Sequence, residues 1–154
     1  MKFLLLAFLL AVLGLIGWGV YRNRQPRSIG IHEGQLSACP STPNCVSSYS
    51  EDSTHSIKPF PIAKETGRSP VDTLVRIIQS LPGSKIIQNN DRYIHAEFRS
   101  KIFSFVDDVE FLLDNEEQVI HVRSASRVGY GDLGVNRDRV ELIREEYMKH
   151  VVGN

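Results

Sequence analysis

Neither sign of charge is in surplus here, since 18 Lys and Arg stand against 18 Asp and Glu over 154 residues. A nucleic-acid binder carries a clear basic excess to neutralise phosphates, so the composition argues against one. Cysteine is scarce: Cys39 and Cys45 are the only two, too few to supply a closed zinc site. Also missing are a G-x-S-x-G elbow, an H-E-x-x-H helix, a cysteine-histidine signature and a P-loop, which removes the hydrolases, peptidases and nucleotidases those motifs mark. No internal repeat is visible. The length allows one modest domain.

Charge is absent altogether from Phe3 to Tyr21. Nineteen helical residues at about 1.5 Å each approach the roughly 30 Å of a bilayer core. A cleavable signal peptide is the competing reading, but its apolar part is shorter and ends at small residues. Here GWGVYRNRQPR follows, with Trp18 and Tyr21 where interfacial aromatics anchor a helix, and Arg22, Arg24 and Arg27 among headgroups. The expectation is an uncleaved transmembrane anchor over residues 1–21. Leu36-Ser37-Ala38-Cys39 has the form of a lipoprotein box, yet three arginines separate it from the apolar run, so lipidation is not expected. Lys2 with the amino terminus nearly balances those arginines, so charge alone does not orient the helix.

Residues 22–68 are rich in Pro, Ser, Thr and Gly and read as tether and irregular loop. Within them CPSTPNC folds readily into a compact turn, and a Cys39–Cys45 disulfide persists only in an oxidising compartment. That places the domain outside the cytoplasm, periplasmic or equivalent. HSIKPFPIA, residues 55–63, is an edge strand at most because Pro59 and Pro61 cannot donate to a ladder.

Residues 69–150 form the compact domain. Ser69-Pro70-Val71-Asp72 has the chemistry of a helix start; Val71, Leu74, Val75, Ile78 and Leu81 make one apolar stripe, and Pro82-Gly83 ends it. Strand-like runs 85–88 and 92–99 flank Asn89-Asn90-Asp91, and runs 108–114 and 118–126 flank Asn115-Glu116-Glu117. Asn136 suits an N-cap, after which Val140, Ile143, Tyr147 and Val151 share a helical face. The fold expected is α+β: a four-stranded antiparallel sheet with helices 70–82 and 137–150 on one face, plus the N-terminal transmembrane helix.

Alternation puts Ile94, Ala96, Phe98, Val109, Phe111, Leu113, Ile120 and Val122 on the helix side. The other side carries His95, Glu97, Arg99, Asp108, Glu110, His121 and Arg123, expected as cross-strand charge pairs on a solvated face. Ser100 to Val106, SKIFSFV, reads as an apolar extension of the third strand; as an exposed loop its aromatics would meet the membrane or a greasy partner.

RSASRVGYGDLGVNRDRVE, residues 123–141, holds more donors than a connection needs. Arginine forks and a helix start both attract anions, so Arg99, Arg123, Ser124, Ser126, Arg127, Tyr130 and Asn136 are the candidate ligand-binding set. No catalytic residue, cofactor or metal is assigned. The enzyme alternative, metal-assisted or acid/base, centres on His95, His121, Asp107 and Asp108, with Glu97 or Glu110 as further ligands. Adjacent Asp107 and Asp108 point to opposite faces of a strand, which weighs against an acid/base pair.

CPSTPNCVSS, FRSKIFSFVDDVEFLLD and VRSASRVGYGDLGVNRDRVELIR together resemble the bacterial and plastid family called domain of unknown function 1499, over roughly residues 34 to 150. The resemblance implies a secreted or membrane-tethered protein and carries no activity with it. The leading functional expectation is a membrane-tethered, non-catalytic domain outside the cytoplasm that binds an anionic small molecule, a lipid headgroup or a protein partner.

Overall fold

The computed structural model describes residues 2–26, 28–62 and 69–152. Arg27, the end of the expected edge strand at Ala63, residues 64–68 and the Val151 side chain lie outside that description.

The first element, α1 (Lys2–Arg24), is uncharged from Phe3 to Tyr21 and long enough to cross a membrane by length and composition. From Phe3 to Tyr21 its side chains are open to solvent apart from half-buried Val12, with Trp18 and Tyr21 in ring contact at 6.0 Å and Arg22 over the Trp18 ring at 5.9 Å. A short hairpin follows, β1 (Ile31–His32) with β2 (Gln35–Leu36).

The main sheet has six strands rather than four. The expected hairpins are present: β5 (Ser84–Asn89) with β6 (Tyr93–Arg99), then β7 (Val106–Asp114) with β8 (Val119–Ser126), in the order β5-β6-β7-β8. The additional two, β3 (Cys45–Ser47) and β4 (Phe60–Pro61), share the outer edge of β8. Cys45 pairs with Ala125 and Phe60 with Ile120, so one long strand templates two short ones. β3, buried at all three residues, has no readable pattern, while β4, two residues long, is the edge strand expected within HSIKPFPIA.

Helices α2 (Pro70–Ser80) and α3 (Val135–Val152) cover one face. Ser69 occupies the α2 N-cap with extended backbone, although its side chain makes no capping bond. Val71, Leu74, Ile77 and Ile78 of α2 and Val140, Ile143 and Tyr147 of α3 meet Ile94, Ala96, Val109, Phe111, Ile120 and Val122, all buried. Phe60 joins this core edge-on to Phe111 and Tyr147, at 5.5 and 5.7 Å. Fully burying each such side chain is worth about 1.5–3 kcal/mol, so this face holds the fold together. The α2–β5 turn needs glycine: Gly83 has φ +78°, and a Cβ there would lie 2.5 Å from the Arg99 carbonyl oxygen.

The opposite face is not solvated as its residue types suggest. His95, Asp108, Glu110 and Arg123 are all buried, Glu110 completely. The chain between α1 and β3 folds back across them and brings Leu36 onto Tyr93 and Leu112 as a second, smaller apolar cluster, against which Tyr49, just past β3, also packs.

SKIFSFV does not extend the core. It forms a turn before β7 begins at Val106, and leaves Ile102, Phe103 and Phe105 exposed.

Candidate functional site

Antiparallel register assembles the covered face. Glu97 lies opposite Asp108, His95 opposite Glu110, and Glu110 opposite Arg123. Alternation sends these side chains to the same side. Isolated ions there would be prohibitively costly, so the charges must find one another.

They do so in two groups. In the first, Arg127 grips Asp108 with both sides of its guanidinium, donating from Nε to Oδ2 at 2.8 Å and from Nη2 to Oδ1 at 2.7 Å. The same Nη2 reaches Glu97 Oε1 at 2.6 Å, and His95 Nε2 lies 2.7 Å from Asp108 Oδ1. The remaining Nη1 points at the end of α1, 3.3 Å from the Arg24 carbonyl oxygen and 3.5 Å from that of Asn23. Carbonyls at a helix C-terminus lack intrahelical partners and carry partial negative charge, so a guanidinium suits them. In the second group Arg123 Nη1 donates to Glu110 Oε2 at 3.1 Å. Glu110 Oε1 accepts from the Tyr93 hydroxyl at 2.8 Å and from the Gly30 amide at 2.6 Å.

Burial on its own would raise the Asp108 pKa, but hydrogen bonds and charge from Arg127 and His95 outweigh it and hold the carboxyl below its ordinary value. Burial would lower the Arg127 pKa, and its bonds to Asp108 and Glu97 raise it instead. The Tyr93 hydroxyl is pushed up by burial and then by Glu110, and so stays a donor.

The seven expected ligand residues are therefore not brought to one surface. Arg123 and Arg127 face the covered side and are paired with carboxylates, with 1% and 3% of their area exposed. Ser124 and Ser126, on alternate positions of the same strand, face α3. Ser124 Oγ donates to Asn136 Oδ1 at 2.5 Å, and Ser126 Oγ accepts from Asn136 Nδ2 at 2.9 Å. Arg99 stays half-exposed, 3.5 Å from Glu97, and Tyr130 is exposed.

Asn136 lies inside the first turn of α3 and is buried rather than capping it. Its amide also donates to the Asn44 carbonyl at 3.1 Å, tying the disulfide loop to α3. Asp132 does the capping, accepting from the Gly134 and Asn136 amides at 3.0 and 2.9 Å. Sequence alone does not separate these two cap-forming residue types. Leu133 and Gly134, both at positive φ, let the chain turn so that Asp132 wins.

Gly129-Tyr130-Gly131-Asp132-Leu133-Gly134 has the G-x-G-x-x-G spacing of a dinucleotide-binding turn and joins a strand to a helix. That fingerprint works inside a parallel βαβ unit, whereas β8 pairs antiparallel with β3, β4 and β7. The Asp132 carboxylate also fills the amides a phosphate would use.

The enzyme set does not converge either. Asp107 faces the helices and pairs with Arg139 at 2.6 Å, while Asp108 faces the other way. His95 and His121 sit on β6 and β8 with β7 between them, His95 opposite Glu110 and His121 opposite Leu112. His121 instead stacks on Tyr49 at 3.9 Å and approaches Glu117 at 3.4 Å. Asp114, Glu117 and His121 each place one ligand-type atom within 4.8 Å of the others.

Cys39 and Cys45 are joined by a disulfide. Tyr93, Asn23, Gly30, Asn44 and Arg139 were not foreseen as site residues, because each acts across the fold without a local motif, and Asp132 was passed over for Asn136 as the cap. Among curated proteins none matches the chain. A family model described as "Protein of unknown function (DUF1499)" matches residues 35–147, which takes in β2 to β8, α2 and every acidic and basic side chain of the covered face. By that match the chain belongs to the DUF1499 family, a family of unknown function.

Proposed function

We propose that the chain is a non-catalytic, membrane-anchored domain outside the cytoplasm, held at a set attitude to its anchor and engaging anionic lipid headgroups. The junction between α1 and the covered face carries this reading. Arg127, already bound to Asp108 and Glu97, also takes the terminal carbonyls of α1, and Asn23 bonds to the chain on either side of Phe105. A loose tether would need none of these contacts. The length of α1, with Trp18, Tyr21 and Arg22 near its end, supports membrane insertion. The disulfide supports an oxidising compartment.

Of the ligands allowed by the sequence, a headgroup fits best. Arg99 keeps exposed guanidinium area next to exposed Lys101, beside the turn that Asn23 holds at the end of α1. Arg123 and Arg127 serve as internal struts.

Full-length protein reconstituted into phosphatidylcholine liposomes is expected to co-float with them and resist alkaline carbonate. Adding phosphatidylglycerol should slow hydrogen exchange over residues 99–106, and Arg99→Ala should abolish the difference. Extraction by carbonate overturns the anchor, and identical exchange in both vesicles overturns the headgroup. Alkylation of both cysteines in fresh membranes overturns the compartment.

The metal-assisted reading on His95, His121, Asp107 and Asp108 has no convergent set behind it, and a metal-binding reading moves to a different group, Asp114, Glu117 and His121. It requires a divalent cation such as zinc or manganese to raise the melting temperature of the full chain, and His121→Ala to remove that rise.

A further inference from the structure

Large apolar side chains at a hairpin tip need an explanation when the rest of the hairpin is buried. Between β6 and β7, Ile102, Phe103 and Phe105 are 83%, 71% and 49% exposed, with the two phenylalanine rings stacked at 5.5 Å. This exposure belongs to a closed turn. The Ser100 amide donates to the Phe105 carbonyl at 2.9 Å, the Phe105 amide to Ser100 Oγ at 3.0 Å, and the Ser104 amide to the Ser100 carbonyl at 3.2 Å. Ser104 takes φ +53° to complete it. The backbone is thus fixed in a shape that presents the side chains outward.

Its position is fixed too. Asn23 Nδ2 donates to the Ser104 carbonyl at 2.8 Å, and Asn23 Oδ1 accepts from the Val106 amide at 2.9 Å. One residue near the end of α1 therefore holds both sides of Phe105. Asn23 lies two positions past Tyr21 and five past Trp18, about 3 and 7.5 Å along the helix axis. The tip is accordingly tied to α1 just past its interfacial aromatics, next to the boundary between apolar helix and headgroups. Arg99 and Lys101, both exposed, flank it in sequence.

We propose that residues 101–105 are a second membrane contact, with Ile102, Phe103 and Phe105 inserted at the boundary between headgroups and acyl chains. This rests on the reading of α1 as a membrane anchor and adds a specific lipid-contacting surface to it. Two attachments, the helix and the tip, define a plane, so the domain lies against the bilayer instead of swinging from a single point.

The full chain carrying Trp18→Phe and Phe103→Trp has a single indole, at the tip. Reconstituted into phosphatidylcholine liposomes, it is expected to co-float and to show blue-shifted emission. Lipids brominated near the headgroup end of the acyl chain should quench it more than lipids brominated near the methyl end. Co-flotation with the red-shifted, unquenched emission of an indole in water overturns tip insertion and leaves the anchor standing. Blue-shifted emission without quenching by bromine means protein, such as a second copy of the chain, covers the tip, and also overturns it. Failure to co-float overturns the anchor and the inserted tip together.

Discussion

Replacing Arg127 by methionine keeps much of the side-chain volume and removes the charge that joins three elements. Its side chain is 3% exposed and that of Asp108 2%, so the substitution strands a carboxylate away from water. Removing one partner of a buried ion pair costs about 3–5 kcal/mol. The lower end applies, because Asp108 keeps His95 at 2.7 Å, and Glu97, 19% exposed, keeps water and Arg99 at 3.5 Å. A loss of about 3 kcal/mol in a domain of this size lowers the melting temperature by on the order of 10 °C. The assay is thermal unfolding of the full chain in detergent micelles, followed by near-ultraviolet circular dichroism. Adding Asp108→Asn removes both charges together, so the double variant should be more stable than the sum of the single losses predicts, by about 2 kcal/mol. A loss below about 1 kcal/mol for Arg127→Met, or strict additivity in the double variant, would refute the claim that these charges depend on one another.

Cys39→Ser with Cys45→Ser opens a short loop and should cost about 2 kcal/mol by chain entropy, measured by urea unfolding. Asn136→Ala leaves the Asn44 carbonyl and the Ser124 and Ser126 hydroxyls without a central partner, and should cost on the order of 3 kcal/mol in the same assay. The Asp108 pKa is lowered in the fold, so its stabilising contribution is full above the unfolded value of about 3.9 and is lost as pH falls through the folded value. Acid unfolding of the wild type should therefore show a component below about pH 4 that Asp108→Asn lacks. Equal acid profiles would contradict this assignment.

How much of this was readable from sequence depended on whether a feature was local. The hairpins around Asn89-Asn90-Asp91 and Asn115-Glu116-Glu117, the stripe of α2 and the helix-facing strand residues each repeat within a few positions, and each was foreseen. Strand β3 was not foreseen, because a strand of three residues shows no period, whereas β4 falls within the edge strand expected over residues 55–63, which was left out of the four-strand count. The ionisable face looked solvated because its alternation with apolar residues is the pattern of a one-sided sheet. What buries it is chain return across 80 positions, from Gly30 to Glu110, and no local motif announces such a contact. Arg123 and Arg127 drew notice as donors in excess of a loop's needs. Their acidic partners were visible too, but which guanidinium meets which carboxylate is set by the register of β6, β7 and β8. The apolar run 102–105 illustrates the opposite difficulty, since burial and exposure share one composition there.

The central claim is that the segment after α1 is folded onto the sheet rather than free. Its most direct test is hydrogen exchange at the Gly30 amide, measured by NMR on the full chain in lipid bilayer discs. That amide donates to Glu110 Oε1 at 2.6 Å and lies just ahead of the paired residues of β1. The account predicts strong protection that Glu110→Ala removes. Exchange at the rate of an unstructured peptide in the wild-type chain would contradict it.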